Sequence, residues 1–249
     1  MTDVYIFGTC RVCYIDYNDI QYVKPLREYH SRHYKYKNIN IFTQPVNYTT
    51  KLIDILDSLK YMTGKLYSDF NPNTDSILRS IFFRGHTLGN FVMPNTHSTY
   101  SFGKVILECF SIKQYIINTE KYGTQYMMKN LPWKIKTGYE HDIQFDESDI
   151  ITHKMTREEC FSTLDEIKQL VQCPILIIGP YYSKLVPEHV NAERMETQSI
   201  LKEYCAINNT EYFDLSYAIT NNIVVERDEF HLKDNNYINS IIYQFITNP

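Results

Sequence analysis

The sequence predicts an α/β protein, a three-layer α/β/α sandwich around a parallel sheet. Three observations carry this. Short β-branched and aromatic runs alternate along the chain with segments of helical period. Several of those runs end on a turn or on a chemically able residue, as at Gly8 and Glu108. Finally, 249 residues that are 43% hydrophobic can fill one large core, and no Gly/Ser/Pro-rich linker, repeat or low-complexity tract divides them. Residues 1–249 therefore read as a single domain. Strands joined through helices pair in parallel by right-handed crossovers, and such folds gather their chemistry at the C-terminal ends of the strands.

The first strand is predicted at Asp3 to Phe7, stopping at Gly8, with Thr9 to Tyr17 opening a helix or loop beyond it. The tyrosine-rich stretch from Asp16 to Lys37 has no clear period and reads as surface loop. Residues 39–43 (INIFT) form a second strand. Leu52, Ile53, Leu56 and Leu59 have helical spacing, with Thr49 or Thr50 as the N-cap and Gly64 as the stop. Val105-Ile106-Leu107 is the next strand. Thr156-x-x-Glu159 is a capping box ahead of Phe161, Leu164, Ile167 and Val171. Ile175 to Ile178 is the strongest buried-strand signal, followed by a helix over roughly Glu188 to Ala206 and a strand at Tyr212 to Leu215. Ile223-Val224-Val225 is strand-like. Asp234 caps a last helix with Tyr237, Ile238, Ile241 and Phe245 on one face.

Composition limits the function classes. A net charge of -4 argues against the broad basic surface of a nucleic-acid binder. There is no apolar run long enough to span a bilayer, and the start MTDVYIFG lacks the charged and apolar regions of a secretory signal. The expectation is a cytoplasmic chain (host cytoplasm if viral) with neither a membrane nor a nucleic acid as partner. Its six scattered cysteines read as free thiols.

Two constellations can carry chemistry. In Gly8-Thr9-Cys10-Arg11, a tight turn after a buried strand pushes a side chain out over the sheet edge and turns backbone N–H groups toward a developing oxyanion. Cys10 or Thr9 is then the nucleophile or the orienting group, and Arg11 favours a thiolate at Cys10; the competing reading makes Cys10 a small buried hydrophobe. In Asp228-x-x-His231 a histidine can take a proton from an attacking group while the carboxylate sets its tautomer. Elsewhere, Glu108 at a strand end suits a sugar hydroxyl or amine or a pairing within the fold. Ser111 and Lys113 follow on the same edge. Arg194 suits a phosphate or a plain ion pair. Cys10-x-x-Cys13 followed by His30-x-x-His33 superficially matches a zinc site. Its histidine gap is shorter than the usual about three to five, so no metal is expected.

Gly8-Thr9-Cys10-Arg11 near the start and Asp228-x-x-His231 before the last helix together resemble the first and last blocks of the SGNH/GDSL hydrolase superfamily. The likeness is closer to its divergent branch with a G-[ST]-C-[FR] start, which includes the GSCFA-type proteins. Asn47-Tyr48-Thr49-Thr50, Leu107-Glu108-Cys109-Phe110-Ser111-Ile112-Lys113 and Asn191-x-x-Arg194 extend it over most of the chain. The resemblance implies a flavodoxin-like fold of SGNH hydrolase type, with His231 as base and Asp228 as its orienter. Ungapped, it puts Cys10 at the serine position and Thr9 at the aspartate; a one-residue shift puts Thr9 at the nucleophile. It sets Gly8, Arg11, Tyr48, Glu108, Ser111 and Arg194 beside the substrate. The usual Gly-x-Asn-Asp block has no clean counterpart. The chain is also similar to giant-virus SGNH-like domains that acetylate an amino sugar on a nucleotide. The implied activity is acyl transfer to a sugar or sugar nucleotide with acetyl-CoA as donor. The alternatives are a carbohydrate acetyl-esterase and, in another class, an inactive carbohydrate-binding domain.

Overall fold

Val4 and Ile6 point to one side of the first strand, Tyr5 and Phe7 to the other, and all four are buried, so β1 (Thr2–Phe7) lies at the centre of a sheet covered on both faces. The computed structural model describes residues 2–8, 10–17, 19–25, 32–43, 51–63, 65, 101–117, 148, 150–227 and 231–248. β1 pairs in parallel with β4 (Ile39–Thr43) on one side and β5 (Lys104–Glu108) on the other. β8 (Ile175–Ile178) and β9 (Glu211–Phe213) continue the parallel set beyond β5. Taken in chain order, these five strands stand 2-1-3-4-5 across the sheet, the flavodoxin-like order.

The sheet is not wholly parallel. Residues 21–25 and 32–36, expected as loop, form β2 (Gln21–Pro25) and β3 (Arg32–Tyr36), which add antiparallel strands outside β4. Tyr34 and Tyr36 turn inward and Lys35 outward, a period of two hidden in the sequence because the inward residues are tyrosines among charges. Lys37, at φ 49°, and Asn38 make the two-residue turn between β3 and β4; positive φ is what such hairpins need to match the twist of their strands. A separate antiparallel pair, β6 (Lys113–Ile117) and β7 (Ile150–Lys154), was also not foreseen.

The helices divide between the two faces. α2 (Leu52–Met62), α3 (Arg157–Val171) and α4 (Glu188–Asn208) pack in the cluster that holds Tyr5, Phe7, Val105, Leu107, Ile175 and Ile177. α1 (Cys10–Cys13), α5 (Leu215–Thr220) and α6 (Asn236–Thr247) pack in the cluster that holds Val4, Ile6, Ile41, Ile106, Leu176 and Ile178. Each fully buried aliphatic side chain in these layers contributes about 1.5–3 kcal/mol. The result is a three-layer α/β/α architecture around a mostly parallel sheet. No helix among the described residues is long and apolar enough to cross a membrane.

Local signals hold where they are strong. Thr156 Oγ1 accepts from Glu159 N at 3.2 Å and Glu159 Oε2 accepts from Thr156 N at 2.7 Å, closing the capping box. Asp214, read as part of a strand, instead caps α5 by accepting from Tyr217 N. Ile223 to Val225 is turn rather than strand, because Ile223 N and Val224 N both return to Ala218 O at the end of α5. At the last helix Asp234 Oδ1 accepts from Asn236 N, while Asn235 holds the cap position. Ile238, Ile242, Phe245 and Ile246 make its buried stripe, with Tyr237 and Ile241 at the margin. The expected caps Thr49 and Thr50 and the stop Gly64 lie outside the described residues.

Candidate functional site

β4 and β5 lie on opposite sides of β1, the strand order in which open α/β sheets place a ligand crevice beyond the carboxyl ends of the strands. Gly8 follows β1 and Glu108 ends β5, brought level by the register Phe7 with Leu107. A Cβ on Gly8 would sit 2.6 Å from Glu108 Cβ and 2.6 Å from Val12 Cγ2, so only glycine permits this approach. Glu108 is wholly buried. Arg11, in α1 and 4% exposed, donates from Nε to Glu108 Oε1 at 2.8 Å.

Aromatic rings close around that ion pair. The Arg11 guanidinium lies 4.0 Å from the Phe110 ring centroid and 5.2 Å from that of Tyr181, and Nη1 donates to Tyr181 Oη at 3.4 Å. Phe110 and Tyr181 meet edge to face at 5.8 Å. Arg194 comes in from α4, 6% exposed, and donates from Nη1 to Tyr181 O at 3.2 Å. Burial pushes the Tyr181 phenol above its ordinary value; Arg11 and Arg194 pull it down, and the carboxylates of Glu226 and Glu108 push it further up. The phenol is therefore neutral at physiological pH and able both to donate and to accept.

Asn191 sits one turn before Arg194 and grips the same loop. Its Oδ1 accepts from Ser183 N at 3.1 Å, and its Nδ2 donates to Ser183 O at 2.7 Å and Val186 O at 3.4 Å. Asn191-x-x-Arg194 thus fastens the segment after β8 to α4. In this position Arg194 holds the carbonyl of Tyr181 in the same segment.

His231 arrives on a short ribbon. Glu226 and Leu232 form an antiparallel bridge, flanked by Arg227 N to His231 O and Lys233 N to Val225 O, both 2.8 Å. Leu232 is buried in the apolar cluster that contains Val12, Ile178 and Tyr181, which docks the ribbon on the layer carrying α1. His231 itself is half-buried.

The other anticipated residues are distributed as follows. Cys10 opens α1. Thr9, Asp228 and Tyr48 lie outside the described residues. Ser111 bridges to Lys51; its carbonyl accepts from Leu52 N at 3.0 Å and its Oγ from Lys113 N at 3.1 Å, so it ties the end of β5 to α2. Lys113 pairs with Glu193. Cys109, next to Glu108, is buried and its thiol pushed strongly up by desolvation, which suits packing rather than attack. Of the zinc-like pattern, Cys13 is buried in α1, His33 stacks on Phe42 with Nε2 3.2 Å from Asn40 Oδ1, and His30 is outside the described residues. No group of three or more potential metal ligands occurs among the described residues. In the tyrosine-rich stretch, Tyr34 and Tyr36 belong to the core, while the Arg32 guanidinium lies 3.9 Å from the ring centroid of Tyr14.

Sequence reasoning missed the parts played here by Phe110 and Tyr181. Tyr181 follows the strongest strand signal, Ile175 to Ile178, by three residues, so the strand-end argument applied to Gly8 and Glu108 reaches it as well.

No protein-family model and no curated protein sequence matches the chain. Among solved structures it is similar to a mutant of an acetyl-xylooligosaccharide esterase from Geobacillus Stearmophilus, at 10% identity and a TM-score of 0.39, over 100% of this chain and 95% of that one.

Proposed function

We propose that the chain is an SGNH-type enzyme that cleaves acetyl esters on a small carbohydrate, working at the crevice beyond β1 and β5. The observation that carries this reading is the ribbon of residues 225–227 and 231–233, whose Leu232, next to His231, packs in the layer of α1, the helix that begins within the Gly8-Thr9-Cys10-Arg11 turn. In this reading His231 accepts the proton of the attacking group, a side chain of the Thr9-Cys10 turn or a water. A bond to the acyl carbon forms as that proton leaves. The proton then passes to the departing sugar oxygen as the ester bond breaks; where a side chain has attacked, a water deprotonated by His231 then cleaves the acetyl-enzyme, giving acetate and returning the proton to the side chain. Backbone N–H groups at the start of α1 hold the oxyanion, and Asp228 orients the imidazole.

Hydrolysis asks less of the protein than transfer, because water needs no binding site of its own, whereas acetyl-CoA and an amino-sugar nucleotide need two. Transfer from acetyl-CoA uses the same base and oxyanion site and is the other outcome of the test. Purified protein is offered p-nitrophenyl acetate and monoacetylated sugars, and separately acetyl-CoA with a panel of amino-sugar nucleotides. Acetate, free CoA and product mass are followed. Acetate release without an acceptor supports the esterase. CoA release only in the presence of an acceptor would replace it with the transferase, and turnover of neither contradicts an enzyme.

A further inference from the structure

Arg11 and Arg157 are held by carboxylates and Arg194 by a carbonyl. Arg32 differs, since among the described residues no carboxylate pairs with its guanidinium. That group lies instead 3.9 Å from the ring centroid of Tyr14 and 5.4 Å from that of Tyr22. Tyr22 stands edge to face on Tyr34 at 5.7 Å, and Tyr14 and Tyr22 are 36% and 51% exposed. Together they make a ledge open to solvent, a cation flanked by two aromatic rings.

The sheet fixes where the ledge stands. Arg32 is level with Thr43 of β4, and Thr43 with Ile6 of β1. Arg32 is therefore at the carboxyl end of the parallel strands, two strands and about 10 Å across from the strand that leads into Gly8. It shares a face of β3 with Tyr34, two residues on. Tyr34 Oη donates to Cys13 O at 3.1 Å and accepts from Ile15 N at 3.3 Å, so this is the face that α1 covers, and Tyr14 is the first residue after α1. Leu232, beside His231, packs in the same layer. The ledge thus lies on the same end and the same face of the sheet as α1.

The charge there runs against that of the whole chain. Residues 20–37 carry Lys24, Arg27, Arg32, Lys35 and Lys37 against one carboxylate, Glu28, in a protein of net charge -4. A guanidinium presents planar donors that match a carboxylate or a phosphate. A tyrosine beside it offers an apolar face to the C–H side of a sugar ring and a polar tip to its hydroxyls.

We propose that Arg32, with Tyr14 and Tyr22, is a subsite for an acidic sugar residue, one that bears a carboxylate or a phosphate and is linked to the acetylated sugar. This rests on the esterase reading for the acetylated sugar and deepens it: the substrate class becomes a short acetylated oligosaccharide with an anionic residue.

The test uses wild type, Arg32→Gln, Tyr22→Ala and, as a control for charge alone, Lys35→Gln, whose cation is exposed on the opposite face of β3. Methyl glucuronide, glucose 1-phosphate and methyl glucoside are titrated by ligand-observed NMR. Hydrolysis is measured on a disaccharide acetylated on a glucose residue, whose second residue is either glucose or the anionic sugar that binds. Wild type should bind at least one anionic sugar more tightly than methyl glucoside, and the one that binds names the anion as carboxylate or phosphate. Arg32→Gln should lose this difference, Tyr22→Ala should weaken the anionic sugar, and Lys35→Gln should keep the preference. In Arg32→Gln the ratio of kcat/KM for the acidic over the neutral disaccharide should fall about 5- to 20-fold, through KM. No anionic preference in the wild type, a preference kept in Arg32→Gln, one lost equally in Lys35→Gln, or anionic binding untouched by Tyr22→Ala would overturn it. If no ester is turned over, the titrations still decide the question for Arg32, so its failure and that of the esterase reading can be told apart.

Discussion

The molecule makes ion pairs in two places with opposite physical character. At the crevice, Arg11 and Glu108 pair at 4% and 0% exposure under two aromatic rings. On the outer surface of α3 and α4, Arg157 pairs with Glu203 at 42% and 46% exposure, and Lys154 pairs with Glu196 nearby. Water screens the outer pairs, so each partner is almost as well off alone. The inner pair has lost its water, and each charge depends on the other. A buried pair adds little net stability over an apolar replacement of both partners. It does hold a polar constellation in one geometry, and here that constellation borders the crevice between β1 and β5.

Breaking the inner pair should have the largest effect on stability. Arg11→Met leaves Glu108 buried without its guanidinium, with an expected loss of about 3–5 kcal/mol by denaturant unfolding. The double variant Arg11→Met with Glu108→Leu should recover most of it; failure to recover would show that the pair holds more than charge. Gly8→Ala follows, at about 1–3 kcal/mol, since the new methyl meets Glu108 Cβ and Val12 Cγ2, the first fixed at a strand end. Its effect should be much reduced in Glu108→Gly, which removes that neighbour. Arg157→Ala should be the smallest. Its thermal midpoint is expected to match that of wild type, and raising the salt concentration should not separate them. A clear loss there would mean that the outer seam is a network rather than a set of independent pairs.

What could be read in the sequence follows the range of the interactions. β1, β8 and the Thr156 capping box are specified within a few consecutive residues, and they lie where the pattern puts them. The β2–β3 extension was hidden because its inward positions are Tyr34 and Tyr36 set among Arg32, His33 and Lys35, which reads as a polar surface. At the crevice, Gly8 and Glu108 were legible as strand ends. Their meeting with Arg11 and Tyr181 was not, because those contacts span 97 and 170 residues. The ribbon was obscured for another reason: Ile223-Val224-Val225 reads as a strand leading to Asp228-x-x-His231, whereas the chain turns there and then bridges from Glu226 to Leu232.

His231→Ala, assayed on a monoacetylated sugar, decides whether His231 is the base. The backbone carbonyl of His231, which the substitution retains, holds Arg227 N. We expect kcat to fall about 10²- to 10⁴-fold, as for loss of a general base, in a protein that still unfolds cooperatively. Equal rates for the two proteins would contradict that role.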